Sequence, residues 1–171
     1  MHCVGVEYGD FPTVEWTLYF RNTSGRDTPI LEDIQSLDLQ LERPAANSSE
    51  FRLRQSVGSP CSSQDYGPLE TILTPKMDKT IAGGDGRPTN ANLCYFNLEQ
   101  AADHGLIIAV GWPGQCAVRF TRDGRNHVRI RAGQELTHLP QGTSGAAGGM
   151  AQDRSVLLGR LLAADAVQPG P

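Results

Sequence analysis

The chain has 171 residues, 39% hydrophobic and 20% charged, with 19 Gly and 11 Pro; that is enough for one domain with a proper core and too few for a β-sandwich plus a full catalytic domain. A net charge of −4 and a pI near 5.5 provide no global positive field to collect phosphate backbones or anionic lipid, so neither nucleic acid nor a membrane is an expected partner. No stretch approaches the ~20 apolar residues of a membrane helix, and Met1-His2-Cys3-Val4 lacks the charged-then-apolar layout of a signal peptide, which leaves cytoplasmic and exported locations both open.

In chain order, Val14, Trp16, Leu18 and Phe20 alternate with Glu15, Thr17 and Tyr19, the pattern of a half-buried strand. The turn cluster Asn22-Thr23-Ser24-Gly25 follows, and the two-residue period resumes through Leu37, Leu39 and Leu41, which predicts an antiparallel hairpin between the two segments. Phe51 and Leu53 alternate with Glu50, Arg52 and Arg54, and residues 58–68, dense in Ser, Pro, Gly and Asp, read as a surface loop. Leu106-Ile107-Ile108-Ala109-Val110, bounded by Gly105 and Gly111, predicts a strand buried on both faces at the centre of the core. Cys116, Val118 and Phe120 then alternate with Ala117, Arg119 and Thr121, and Asp123-Gly124 precedes the alternating Val128 to Ala132, the strongest hairpin signal in the chain. Arg119, Arg122, Arg125, Arg129 and Arg131 cluster here and read as a solvated outer face.

Strand follows strand without an intervening helical period, so the expected fold is all-β, an antiparallel β-sandwich. Residues 1–139 form this domain. After Leu139 the composition turns to Gly and Ala without aromatics, so residues 140–171 are expected to be poorly ordered, weakly helical through Val156, Leu157, Leu161 and Leu162, or read out of frame.

Catalytic chemistry does not announce itself. There is no G-x-S-x-G nucleophile elbow, His2, His104, His127 and His138 are scattered singly, and Asp10, Glu15, Glu99 and Glu135 carry no local feature beyond surface or turn roles. Cys3, Cys61, Cys94 and Cys116 lack metal-ligand spacing, so no metal and no cofactor is expected, and their oxidation state is left open. Gly83-Gly84-Asp85-Gly86 lacks the Lys and helix of a phosphate loop and reads as a turn.

Two segments do stand out. Residues 86–99 place Arg87, Asn90 and Asn92 before the aromatic strand Tyr95-Phe96-Asn97-Leu98, and Gly111-Trp112-Pro113-Gly114-Gln115 sets a tryptophan on a tight turn. A planar ring with neighbouring amides and a guanidinium suits a sugar, whose apolar face stacks while its hydroxyls meet polar groups. Trp112, Gln115, Arg87, Asn90 and Asn92 are therefore the carbohydrate-proximal candidates; the competing reading packs Trp112 on a neighbouring domain.

Together with Asp10-Phe11-Pro12-Thr13-Val14-Glu15-Trp16, Asp27-Thr28-Pro29-Ile30-Leu31-Glu32-Asp33-Ile34 and Ala132-Gly133-Gln134-Glu135-Leu136-Thr137-His138, these segments resemble the N-terminal sandwich of bacterial α-galactosidases of the melibiase type, over about residues 3 to 139. The resemblance implies a β-supersandwich preceding a catalytic (β/α)8 barrel, with both catalytic aspartates in the barrel and none here. It implies a non-catalytic domain that packs on that barrel and lends Trp112 and the Arg87 to Asn92 loop to the rim of a galactoside pocket. Cys116 departs from the family, where an aromatic is expected, and residues from Pro140 onward depart from it as well. The alternative is a stand-alone carbohydrate-binding or interaction module.

Overall fold

A strand that alternates apolar and polar side chains needs a second apolar surface to face, and two sheets of this chain supply it to each other. The computed structural model describes residues 1–135 apart from 25, 44–48, 102, 103, 112 and 113. Among the described residues there are ten strands and no helix: β1 (His2–Tyr8), β2 (Thr13–Tyr19), β3 (Gln35–Glu42), β4 (Phe51–Ser56), β5 (Pro68–Leu73), β6 (Asp78–Ala82), β7 (Tyr95–Ala101), β8 (His104–Ala109), β9 (Cys116–Arg122) and β10 (His127–Gln134). One sheet has the order β3-β10-β9-β6, a second β5-β4-β7-β8, and β1-β2 forms a separate ribbon. All the pairings are antiparallel.

The first sheet sends Leu37, Ile81, Val118, Phe120, Val128, Ile130 and Ala132 into the shared core, and the second sends Phe51, Leu53, Leu73, Phe96, Leu98 and Ile108. Phe96 and Phe120 meet edge to face across the two sheets, with ring centroids 5.5 Å apart. Burying each such ring stabilises the fold by roughly 1.5–3 kcal/mol relative to leaving it in water. The expected antiparallel sandwich is therefore the observed architecture; residues 136–171, including the expected tail, lie outside the described residues.

Several local expectations are corrected. The strand from Val14 pairs with β1, in the register Trp16 to Gly5 and Leu18 to Cys3, and makes no hairpin with the Leu37 to Leu41 segment. That segment, β3, lies at the edge of the β3-β10-β9-β6 sheet and pairs with β10. The turn chemistry at Asn22 was legible, since its Oδ1 accepts the Ser24 N–H at 2.9 Å and its Nδ2 donates to Arg26 O at 2.7 Å; the turn simply joins two different layers. The apolar run from Leu106 to Val110 is not the centre of the core. β8 is the edge of its sheet among the described residues, with only Ile108 fully buried and Leu106 and Val110 packed against the core. Periodicity cannot distinguish a run buried on both faces from one buried on a single face and half-shielded on the other. His104 opens β8.

Arg122 also departs from the solvated face assigned to the arginine cluster. Its position on β9 shares the parity of Val118 and Phe120, so it points inward, and its side chain is completely buried. Arg119 and Arg129 do stand on the outer face, as expected, each held by an aspartate.

Candidate functional site

The connection from β6 to β7 carries the chain from one sheet to the other and closes one end of the sandwich. Asp85 has φ 51°, Gly84 80° and Gly86 70°, so three successive left-handed residues make the tight turn expected from Gly83-Gly84-Asp85-Gly86. Gly83 is needed for a different reason: a Cβ there would lie 2.3 Å from the Arg87 carbonyl oxygen, which the loop brings back over it. Backbone bonds fasten the loop to its surroundings, from Gly83 N–H to Cys116 O at 3.1 Å, Gly58 N–H to Ala91 O at 3.0 Å and Ser59 N–H to Thr89 O at 2.9 Å.

Most of the polar side chains singled out in this region are spent on the same fastening. Asn92 Nδ2 donates to Ala82 O at 3.0 Å while its Oδ1 accepts from Gln55 Nε2 at 3.3 Å, which bridges the two sheets beneath the loop. Asn90 Nδ2 donates to the Asp85 carboxylate within the loop. Gln115 Oε1 accepts the Gly86 N–H at 2.7 Å, and its Nε2 donates to the Glu135 carboxylate. Arg87 is exposed, and its side chain makes no hydrogen bond or ion pair among the described residues. Trp112 lies outside the described residues. The structure thus gathers Arg87, Asn90 and Gln115 around one loop and places Asn92 at its base.

A disulfide between Cys94 and Cys116 strengthens this end. Cys94 immediately precedes β7 and Cys116 opens β9, so the bond joins the two sheets, which sequence spacing could not reveal. Cys116, where the family resemblance leads one to expect a ring, is instead a fully buried half-cystine. Cys3 and Cys61 are free and exposed.

The Gln115 to Glu135 contact leads to a cleft of about 480 Å³ on the outer face of the β3-β10-β9-β6 sheet, within the size range of small-ligand sites. It is lined along the strands by Thr80, Ala117, Arg119, Arg131, Gly133 and the buried Gln134, and at its rim by Glu32, Asp33, Gln35 and Glu135. Gly133 sits at the register shift of β10, where a Cβ would stand 2.0 Å from the Ile34 carbonyl oxygen. Only glycine lets the chain before β3 come this close and form the wall of the cleft. Asp33, at φ 50°, turns that chain and accepts from Gln35 Nε2 at 2.7 Å.

The electrostatics of the floor follow from the register. Asp38 on β3 and Arg119 on β9 both stand opposite Arg131, yet each pairs elsewhere. Asp38 accepts from Arg129 Nε at 2.7 Å and Nη2 at 2.5 Å, and Asp78 accepts from Arg119 Nε at 2.8 Å and also from its Nη2. The Arg129 hydrogen bonds hold Asp38 below the usual carboxylate range against the opposing effect of desolvation, with the charges of Arg129 and Arg131 adding to them. Arg119 does the same for Asp78, again with a contribution from Arg131. Arg131 itself is half-buried and makes no hydrogen bond or ion pair among the described residues.

The cleft thus offers one uncommitted guanidinium, amide and hydroxyl groups, and carboxylate acceptors. Among its described lining residues there is no serine, cysteine or histidine to form a nucleophile and base, and no group of three His, Cys, Asp or Glu among the described residues could hold a metal ion. Glu135, read from sequence as an ordinary surface or turn acid, and the cleft residues Asp33, Gln35, Thr80, Arg119 and Arg131 escaped notice as site residues because only cross-strand pairing brings them together. No family model matches this chain, and no curated protein matches it.

Proposed function

We propose that residues 3 to 139 are the non-catalytic N-terminal domain of an α-galactosidase-like glycoside hydrolase, which packs on a (β/α)8 barrel and shapes its sugar site. The sequence motifs quoted above support this reading, and the antiparallel two-sheet architecture is compatible with it. The observation that carries it furthest is the contact of Gln115, one of the carbohydrate-proximal candidates, with Glu135 on the lining of a polar cleft large enough for a monosaccharide. Such a cleft presents donors and acceptors for hydroxyl groups.

The same cleft favours a second reading, a stand-alone carbohydrate-binding module in which the site acts without a barrel. Two measurements separate these readings from each other and from catalysis. The purified chain should not release nitrophenol from nitrophenyl α-galactoside above the buffer rate; turnover that disappears in Glu135→Gln or Asp33→Asn overturns the non-catalytic assignment. Saturable binding of methyl α-galactoside, lost in Trp112→Ala, favours the stand-alone module, whereas absence of binding favours a domain whose site is completed by its neighbour.

A further inference from the structure

We propose that the cleft on the outer face of the β3-β10-β9-β6 sheet binds a sugar that carries a carboxylate, of the uronic acid class, with Arg131 as the residue that takes the carboxylate. The inference rests on the reading that the sandwich handles carbohydrate, and it names the kind of sugar.

Most charged groups of this face already have partners. Asp38 is committed to Arg129 and Asp78 to Arg119, through paired hydrogen bonds in both cases. On the rim, Asp33 accepts from Gln35 and Glu135 from Gln115, and Glu32 also has a partner. Arg131 lies between the two aspartate pairs, close enough for its charge to act on both, but it is bonded to neither. It is half-buried on the cleft floor and stands directly opposite another arginine, Arg119. A guanidinium stays ionised throughout the accessible pH range, so its charge cannot be relieved by losing a proton. A ligand can relieve it, and the flat fork of N–H donors matches a planar carboxylate in the bidentate manner that a lysine ammonium cannot.

The rim decides the rest of the ligand. Its carboxylates are already engaged, but each has lone pairs to spare and accepts from hydroxyl donors. A bare anion such as phosphate satisfies Arg131 and then meets Glu32, Asp33 and Glu135 with its own negative charge. A neutral galactoside offers hydroxyls to the rim and leaves Arg131 unmatched. A uronide satisfies both halves, and the volume of about 480 Å³ accommodates one residue of it.

The test is calorimetric titration of the full 171-residue chain with methyl α-galacturonide, methyl α-galactoside and inorganic phosphate. The galacturonide should bind saturably and at least about tenfold more tightly than either of the others. Arg131→Gln should remove that advantage, Arg131→Lys should restore only part of it, and Arg52→Gln, on the outer face of the other sheet, should leave it intact. Circular dichroism and a melting curve for each variant establish that binding is compared between folded proteins. Equal affinity for galacturonide and galactoside, unaffected by Arg131→Gln, overturns the uronide assignment and leaves the carbohydrate reading standing. Phosphate binding that depends on Arg131 without a preference for the galacturonide also overturns it, in favour of a simple anion site. Failure of both sugars to bind overturns it as well, while the nitrophenyl α-galactoside assay reports independently on the glycosidase-domain reading.

Discussion

Arg122 is a cation inside a sandwich, and its surroundings explain why it is tolerated. Its guanidinium donates to Glu50 at 3.0 Å, to Asp123 Oδ1 at 2.8 Å, and to the carbonyls of Arg125 and His127 at 2.9 and 3.0 Å, while it lies 5.2 Å from the Phe51 ring centroid. One side chain thereby ties the β9 to β10 turn to the start of β4. Removing one member of a buried charged network leaves the others without compensation, so Arg122→Ala should destabilise the fold by about 3 kcal/mol or more. Urea unfolding followed by circular dichroism measures this; a loss below about 1 kcal/mol places the pair in the range of exposed ion pairs and contradicts a buried role. Asp123 sets the pH dependence of the same turn. Burial alone raises its pKa, but His127, through side-chain and backbone hydrogen bonds, and the Arg125 N–H outweigh that and bring it from 3.8 to about 2. The unfolded chain therefore takes up the proton first. The stabilisation is fully present above pH 3.8 and is lost as the pH falls through about 2. The stability difference between wild type and Asp123→Asn should accordingly be constant near neutrality and close on acidification across this window, as acid titration of the urea midpoint will reveal.

At the scale of elements, the chain tells more about its strands than about their partners. Phe51 and Leu53, Cys116 to Phe120 and Val128 to Ala132 were legible because each alternates and ends at a turn signal. β5 and β6 were not, because they carry few apolar residues in register, and Pro68–Leu73 leaves only Leu73 buried; β1 alternates through Val4, Val6 and Tyr8 but buries none of them. The candidate site was legible to a similar degree. Gln115, Arg87 and Asn90 do lie around one loop, but Asn92 proves to be an internal fastener, and the cleft residues of four strands carried no joint signal. The disulfide is a further feature of this level, since it pins the 83–92 loop to the sheet through β9. With a sequence separation of 22 between its cysteines, chain-entropy reasoning gives it about 3 kcal/mol. Reductant should lower the urea midpoint of the wild-type chain and leave that of the Cys94→Ala/Cys116→Ala double variant unchanged; equal midpoints with and without reductant show that the bond contributes nothing.

Over the whole molecule, stability is expected to be uneven. All of β1 is exposed, and the ribbon is held to the sandwich by β2, through Trp16, whose Nε1 donates to Ser36 O at 2.8 Å, and through Leu18 and Phe20, which pack with Leu31 and Ile34. The tip of the ribbon carries Tyr8 and Phe11, the latter 68% exposed. Such an element opens before a two-sheet core does. Brief chymotrypsin treatment should therefore cut at Tyr8, the Phe11 bond being protected by Pro12, before it cuts within the sandwich, and leave a folded fragment, identified by mass spectrometry; cuts within β4, β7, β9 or β10 that precede the Tyr8 cut contradict this order of stability.

The sequence alone determined that this protein is built of strands, where most of the legible ones turn, and which side chains of each share a face, because a two-residue period is a property of a single extended segment. The tertiary structure alone decided which strands meet: that β2 joins β1, that β8 takes an edge, that Arg122 is enclosed while Arg129 is solvated, and that Arg131 is left over between two satisfied aspartates. The physical reason is that pairing and register are non-local. They depend on apolar faces and connections distant in the chain, and a cleft made by four strands exists only once those strands have found one another.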